Sequence, residues 1–116
     1  MPKTSIIIPT KNRPKDTIEC VESVLNSTFK DIEIIIVDDN STDGTFKKIW
    51  GKYSKSTLVT VLPSTKDLGA GGSRNLGASK ATGKYLLFVD CDNVVDKKMI
   101  ERLVDFFDKT PDCGMA

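Results

Sequence analysis

Four short apolar runs, each followed by a polar loop and then a helical pattern, constrain the fold of this chain more than any other feature. Ile6-Ile7-Ile8, Ile34-Ile35-Ile36-Val37, Leu58-Val59-Thr60-Val61-Leu62 and Leu86-Leu87-Phe88-Val89 are mostly β-branched. Continuous runs of this kind fit strands buried on both faces of a parallel sheet. Between them the apolar period lengthens. Ile18, Val21, Val24 and Leu25 share one helical face, as do Phe46, Ile49, Trp50 and Tyr53, and again Ile100, Leu103, Val104 and Phe107. The aromatic members, Trp50 and Tyr53, are expected in the core or an interface. Residues 72–82 read as a helix of small residues that packs close to the sheet.

The order β-α-β-α-β-α-β-α with short connections predicts an α/β fold. It is a Rossmann-like three-layer sandwich with a mainly parallel sheet and helices on both faces. Residues 1–116 fit one domain. Pro14 suits the first turn of a helix that starts after Asn12 or Arg13. Ser41 is the expected N-cap of the next helix, without a capping box because Gly44 stands three residues later. After Pro111 the chain runs to Ala116 as though a fifth strand begins at Cys113, so the fold is expected to break off after about four βα units. An exposed sheet edge and self-association would follow.

Charge and composition narrow the chemistry. Seventeen Lys and Arg against sixteen Asp and Glu leave a net charge of +1, which gives no electrostatic case for nucleic acid. No apolar run approaches the roughly 20 residues of a membrane span. With no histidine, catalysis must run on carboxylates, hydroxyls, Lys, Arg or a bound metal. Cys20, Cys91 and Cys113 are odd in number and lack a CxxC pair, which points to a reducing, cytoplasmic location rather than a disulfide or zinc site. Without an imidazole to activate them they read as core filler, with Cys91 turned away from any ligand.

In parallel sheets ligands gather beyond the carboxyl ends of the strands, so the polar residues after each apolar run are the candidates. Asp90 and Asp92 lie two apart, and in extended chain both face one way. Two hard oxygen donors suit Mg²⁺ or Mn²⁺, with phosphate oxygens and water completing the shell; an acidic turn is the plainer reading. Asp38 is expected against a helix N-terminus and Asp39 free to accept hydrogen bonds from a base or ribose, with simple turn capping as the alternative. Gly69-Ala70-Gly71 opens like a dinucleotide fingerprint, but Arg74 holds the third glycine position and the stretch follows the third strand. Arg74 suits a diphosphate, whose oxygens its planar donors grip in pairs; an ion pair to Asp90 or Asp92 is compatible in the ligand-free protein.

Taken together, Ser5-Ile6-Ile7-Ile8-Pro9-Thr10-Lys11-Asn12-Arg13, Ile36-Val37-Asp38-Asp39-Asn40-Ser41-Thr42-Asp43-Gly44-Thr45, Arg74-Asn75-Leu76-Gly77 and residues 81–92 resemble family 2 glycosyltransferases of the GT-A fold. The resemblance runs in order over the whole chain. It implies that Pro9, Thr10, Asn12 and Arg13 belong to the nucleotide loop, with Pro9 and Thr10 lining base and ribose. Asp39 would hold the base, typically uracil, and Asp67 would lie near base and ribose. Arg74 would contact the diphosphate, Asp90 the ribose or metal, and Asp92 the Mn²⁺ or Mg²⁺ directly. Asp67 stands where the family commonly has Asn, and Asn93 replaces a frequent acidic residue.

The resemblance further implies inverting transfer from a nucleoside-diphosphate sugar, a UDP-sugar first, to a saccharide, lipid or protein acceptor. Its carboxylate base and acceptor segment lie beyond the D-x-D pattern, so the 116 residues are expected to be a donor-binding portion. A longer parent chain could lie against the cytoplasmic membrane face. Three alternatives stay open at this point: a receiver-like phosphoacceptor domain with Asp90 as acceptor, a nucleotidyltransferase, and a non-catalytic nucleotide-binding module.

Overall fold

The computed structural model describes residues 4–109. The elements run β1 (Thr4–Thr10), α1 (Pro14–Leu25), β2 (Ile32–Asp39), α2 (Thr45–Tyr53), β3 (Val59–Ser64), α3 (Gly69–Lys80), β4 (Tyr85–Phe88) and α4 (Met99–Lys109). The four strands form one sheet in the order β3-β2-β1-β4, and all three pairings are parallel. The expected fifth strand at Cys113 lies outside the described residues.

Alternation along the central strands creates the layers. Ile6 and Ile8 of β1, with Ile34 and Ile36 of β2, face a core filled by Cys20, Val21 and Val24 of α1, Ile49 and Tyr53 of α2, and Ile100, Val104 and Phe107 of α4. Ile7, Ile35 and Val37 face the other way, against Leu76 and Ala78 of α3. The sheet is therefore a middle layer, with one helix on one face and three on the other. Among the described residues, no helix is long and apolar enough to cross a membrane.

The edge strands depart from the uniform burial that their apolar runs predict. In β3, Val59 and Val61 are buried while Thr60 on the opposite face is exposed, because α3 rests on β1 and β2 and leaves much of that face of β3 open; Pro63, near the strand's end, is exposed as well. An edge position also explains how Pro63, which has no N–H, sits in a strand.

Two local expectations are corrected, and a third, Trp50 in the core or an interface, loses its first option. Helix α2 begins at Thr45 rather than after Ser41: Gly44 adopts φ +84° as its N-cap, and Asp43 Oδ1 accepts the Thr45 N–H at 3.0 Å. Helix α3 begins at Gly69, three residues before the predicted start, because a carboxylate from β2 caps it. Trp50 is 49% exposed and stacks on Phe46 at 5.9 Å, while its neighbours Ile49 and Tyr53 take the core positions. The apolar stripe of α2 is wider than the face the sheet can cover.

Candidate functional site

The carboxyl ends of β1, β2 and β4 and the start of α3 surround one open cavity of about 560 Å³. Its walls carry Pro9, Thr10, Lys11 and Arg13 from the end of β1, Asp39 from β2, Asp67 and Ser73 around the start of α3, Arg74, and Asp90, Cys91 and Asp92 after β4. Seven of the eight residues nominated for nucleotide contact are thus brought together, along with both nominated metal ligands.

Asn12 is the exception. It sits at φ +54°, its N–H donates to Ser41 Oγ at 2.9 Å, and its Oδ1 accepts the Thr42 N–H at 2.8 Å. It stitches the loop after β1 to the loop after β2 and does not line the cavity.

The adjacent aspartates both act as caps, the alternative reading of the pair, and it is Asp39 rather than Asp38 that meets a helix. Asp38 accepts from the Ser41 N–H at 3.2 Å and from Ser41 Oγ at 2.5 Å, which closes its own turn. Asp39 sits at the N-terminus of α3, where its two oxygens accept the Leu68 N–H at 2.6 Å and the Gly69 N–H at 3.0 Å. The positive end of α3 compensates this carboxylate, which is only 7% exposed. Each oxygen keeps a further lone pair for a ligand.

At one end of the cavity, Lys11 and Asp67 pair at 2.7 Å, and Asn40 Nδ2 donates to the same Asp67 oxygen at 3.3 Å. Because β2 lies between β1 and β3, this pair reaches over the end of β2, where Asp39 sits. The Asp67 hydrogen bond raises the Lys11 pKa, and the Lys11 and Asn40 hydrogen bonds hold Asp67 below the usual carboxylate range. At the other end, Arg74 Nη2 lies 3.4 Å from Asp90 Oδ1, the ion pair anticipated for the ligand-free protein. Arg13 pairs with Asp16 at 3.2 Å. All three pairs are exposed, so they contribute little to the fold and exchange partners readily.

Asp90 and Asp92 both face the cavity, but not by strand alternation. β4 ends at Phe88, and the Asn93 N–H donates to Asp90 O at 3.0 Å, so these residues form a turn. The turn also brings Cys91 to the cavity wall, and Cys91 packs against the core as expected of filler. Cys20 is fully buried, as expected of filler. Its thiol is pushed up to about 12 by burial first, then by Cys91, Asp92 and Asp90.

Sequence reasoning missed Lys11 and Ser73 as cavity residues. Lys11 had a visible signal, its place directly after an apolar run. Ser73 had one too, its place in the helix of small residues expected to pack close to the sheet.

Hard carboxylate oxygens at Asp90 and Asp92 suit Mg²⁺ or Mn²⁺. Among the described residues no group of three metal-ligating side chains occurs. A metal here would draw its remaining ligands from a bound diphosphate and water, so the donor set fits an ion that arrives with its ligand.

Comparison with known proteins follows the same lines. A model for glycosyl transferase family 2 matches residues 5–115. The chain is 39% identical over 99 residues to the glycosyltransferase GlyG of Streptococcus pneumoniae, covering 85% of this chain and 33% of GlyG. The structure of S. aureus TarS 1-349 in complex with UDP-GlcNAc superposes with a TM-score of 0.82 at 33% identity, covering 92% of this chain and 31% of that 1-349 chain. The mannosyltransferase PcManGT of Pyrobaculum calidifontis, in complex with GDP-Man and Mn2+, superposes at 0.83 with 22% identity over 91% of this chain and 32% of its own, a likeness of fold. The chain thus spans about a third of GlyG and of these two solved chains.

Proposed function

Because this chain belongs to glycosyl transferase family 2, its model matching residues 5–115, we propose that the cavity binds the nucleoside diphosphate of a sugar donor together with Mn²⁺ or Mg²⁺. Membership sets aside the receiver-like and nucleotidyltransferase alternatives. The observation that carries the reading is the distribution of charge in the cavity. Four carboxylates (Asp39, Asp67, Asp90, Asp92) face three cations (Lys11, Arg13, Arg74), which leaves a net charge of −1. An anionic diphosphate is repelled by such a wall unless a divalent cation comes with it, and one such cation turns −1 into +1.

The residues divide the work by position. Asp39, Pro9 and Thr10 meet at the end of β1 and β2, where a base and ribose fit. The Thr10 hydroxyl bonds Thr17 Oγ1 at 2.6 Å and Thr17 Oγ1 donates to Arg13 O, so Thr10 is held in place and offers a lone pair. Arg74 releases Asp90 and grips two diphosphate oxygens with its planar donors. Asp92, with Asp90, would hold the divalent cation. When bound, that ion neutralises the negative charge that accumulates on a departing nucleoside diphosphate. Arg74, beside Asp90 at the same end of the cavity, acts in the same sense, stabilising the leaving group more as its charge grows.

A UDP-sugar is the donor we propose, supported by the 33% identity to TarS, whose structure holds UDP-GlcNAc. Inverting transfer to an acceptor saccharide, lipid or protein belongs to the proposal for the longer protein, since these residues cover a third of GlyG. A cytoplasmic location is supported by the free thiols of Cys20 and Cys91. Self-association of the 116-residue chain through the outer edge of β4 is part of the same reading, and sedimentation tests it.

Isothermal titration with UDP and Mn²⁺ tests the site. Wild type is expected to bind, and Asp92→Ala to lose most of the Mn²⁺-dependent gain. Equal heats from the two proteins would refute the metal assignment, and no heat from wild type would refute donor binding.

A further inference from the structure

The side chain of Ser73 is built into the cavity without a use in the fold. Ser73 is 1% exposed and lines the cavity, yet its Oγ has no hydrogen-bond partner among the described residues. A serine within a helix commonly donates to a carbonyl one turn back, as Ser23 and Ser79 do here to Cys20 O and Leu76 O at 2.6 and 2.7 Å. Ser73 forgoes that bond. A buried hydroxyl left unpaired costs free energy, and the large majority of such groups in folded proteins are satisfied. That Oγ is also shielded from solvent in the free protein, so it reaches a ligand by rotating about χ1 toward the cavity that the residue lines.

Its neighbours say what would fill that space. Ser73 precedes Arg74, which faces Asp90, and it follows the α3 start that Asp39 caps. It therefore lies between the wall proposed for the nucleoside and the wall proposed for the diphosphate.

We infer that Ser73 Oγ is a ligand-binding group, donating its hydrogen bond to an oxygen of the bound nucleoside diphosphate. This rests on the donor-binding reading above and adds a contact to it. Alanine has the volume of serine without the hydroxyl, so Ser73→Ala removes the unpaired group and nothing else. The consequence has opposite signs in the two states. Free protein gains or keeps stability, because a buried unsatisfied hydroxyl is gone. The complex weakens, because its hydrogen bond is gone.

The experiment measures both on the same 116-residue chain: the thermal midpoint without ligand, and the Kd for UDP with saturating Mn²⁺ by calorimetry. For Ser73→Ala we expect an unchanged or higher midpoint together with UDP binding weaker by about two- to tenfold, the span of one neutral hydrogen bond. Titrations with uridine and with inorganic pyrophosphate locate the oxygen: the loss follows whichever fragment carries it. A Kd equal to wild type overturns the inference and leaves donor binding intact. A lower midpoint with an equal Kd overturns it in favour of a structural role. Wild type that binds neither UDP nor its fragments fells the donor-binding reading, and this inference with it.

Discussion

Gly77 joins the fold to the site, and substituting it tests the packing that places α3. A Cβ built at Gly77 would stand 2.5 Å from Ile7 Cγ2 and 3.2 Å from Val37 Cγ2. Both neighbours are fully buried and β-branched, so neither has a free rotamer to move into. Overpacking of this kind costs about 1–3 kcal/mol, and the first distance puts Gly77→Ala toward the upper end. Against it stands the gain of about 1 kcal/mol for replacing Gly by Ala in a helix. The net expectation is a destabilisation of about 1–2 kcal/mol, a fall in midpoint of about 4–8 °C for a chain of this size. Gly71→Ala serves as the control, since nothing lies within 4 Å of its Cβ and only the helix gain remains. Urea unfolding followed by far-ultraviolet circular dichroism measures both. Opposite signs in one helix are the expected result. A Gly77→Ala protein as stable as Gly71→Ala would refute the claim that close contact, rather than propensity, fixes α3 against the sheet.

Arg74→Ala is expected to weaken UDP binding by about 10- to 100-fold, the value of charge-assisted hydrogen bonds; a change under about twofold removes Arg74 from the diphosphate contact. Asp67→Asn takes one carboxylate from a cavity with a surplus of one and frees Lys11, so UDP should bind about two- to fivefold tighter by calorimetry. Weaker binding would instead make Asp67 a direct contact. For Glu33, burial raises the pKa, but hydrogen bonds from Ser5 Oγ and from the Thr82 N–H and hydroxyl outweigh it and lower the folded value below 4.5. Its stabilisation is therefore complete above that value and is lost as pH falls through the folded one. Urea midpoints of wild type and Glu33→Gln should converge as the pH drops through this window, and parallel curves would reject the linkage. In a Cys113→Ser background, iodoacetamide at neutral pH is expected to label Cys91 and spare buried Cys20, and UDP with Mn²⁺ should slow the reaction. Labelling indifferent to ligand would take Cys91 off the cavity wall.

Much of the site was legible because its residues follow the apolar runs directly. Strand ends are local features, so Pro9, Thr10, Asp39, Asp90 and Asp92 could be nominated from position alone, and Arg74 from its place after the glycines. Errors arose where a local rule met a distant partner. Ser41 looked like a helix cap, but Asp38 claimed it. Asp39 looked free, yet α3 starts where it does because Asp39 accepts two of its N–H groups. Asp90 and Asp92 do line one cavity, but a turn rather than an extended strand aims them, and the same turn brings Cys91 to its wall.

The alternation of strand and helix, the parallel character of the sheet and the edge at which polar residues collect are all readable from the order of residues. These depend on hydrophobic period and loop length, which neighbouring residues fix among themselves. That β2 lies between β1 and β3, and hence that Lys11 reaches Asp67 over Asp39, emerges only when the chain is folded. The same holds for the close approach of Gly77 to Ile7 and for the unpaired Ser73 hydroxyl beside the cavity. Contacts of that kind depend on which strands are neighbours and how closely a helix settles on them, distances that residues far apart in sequence set jointly.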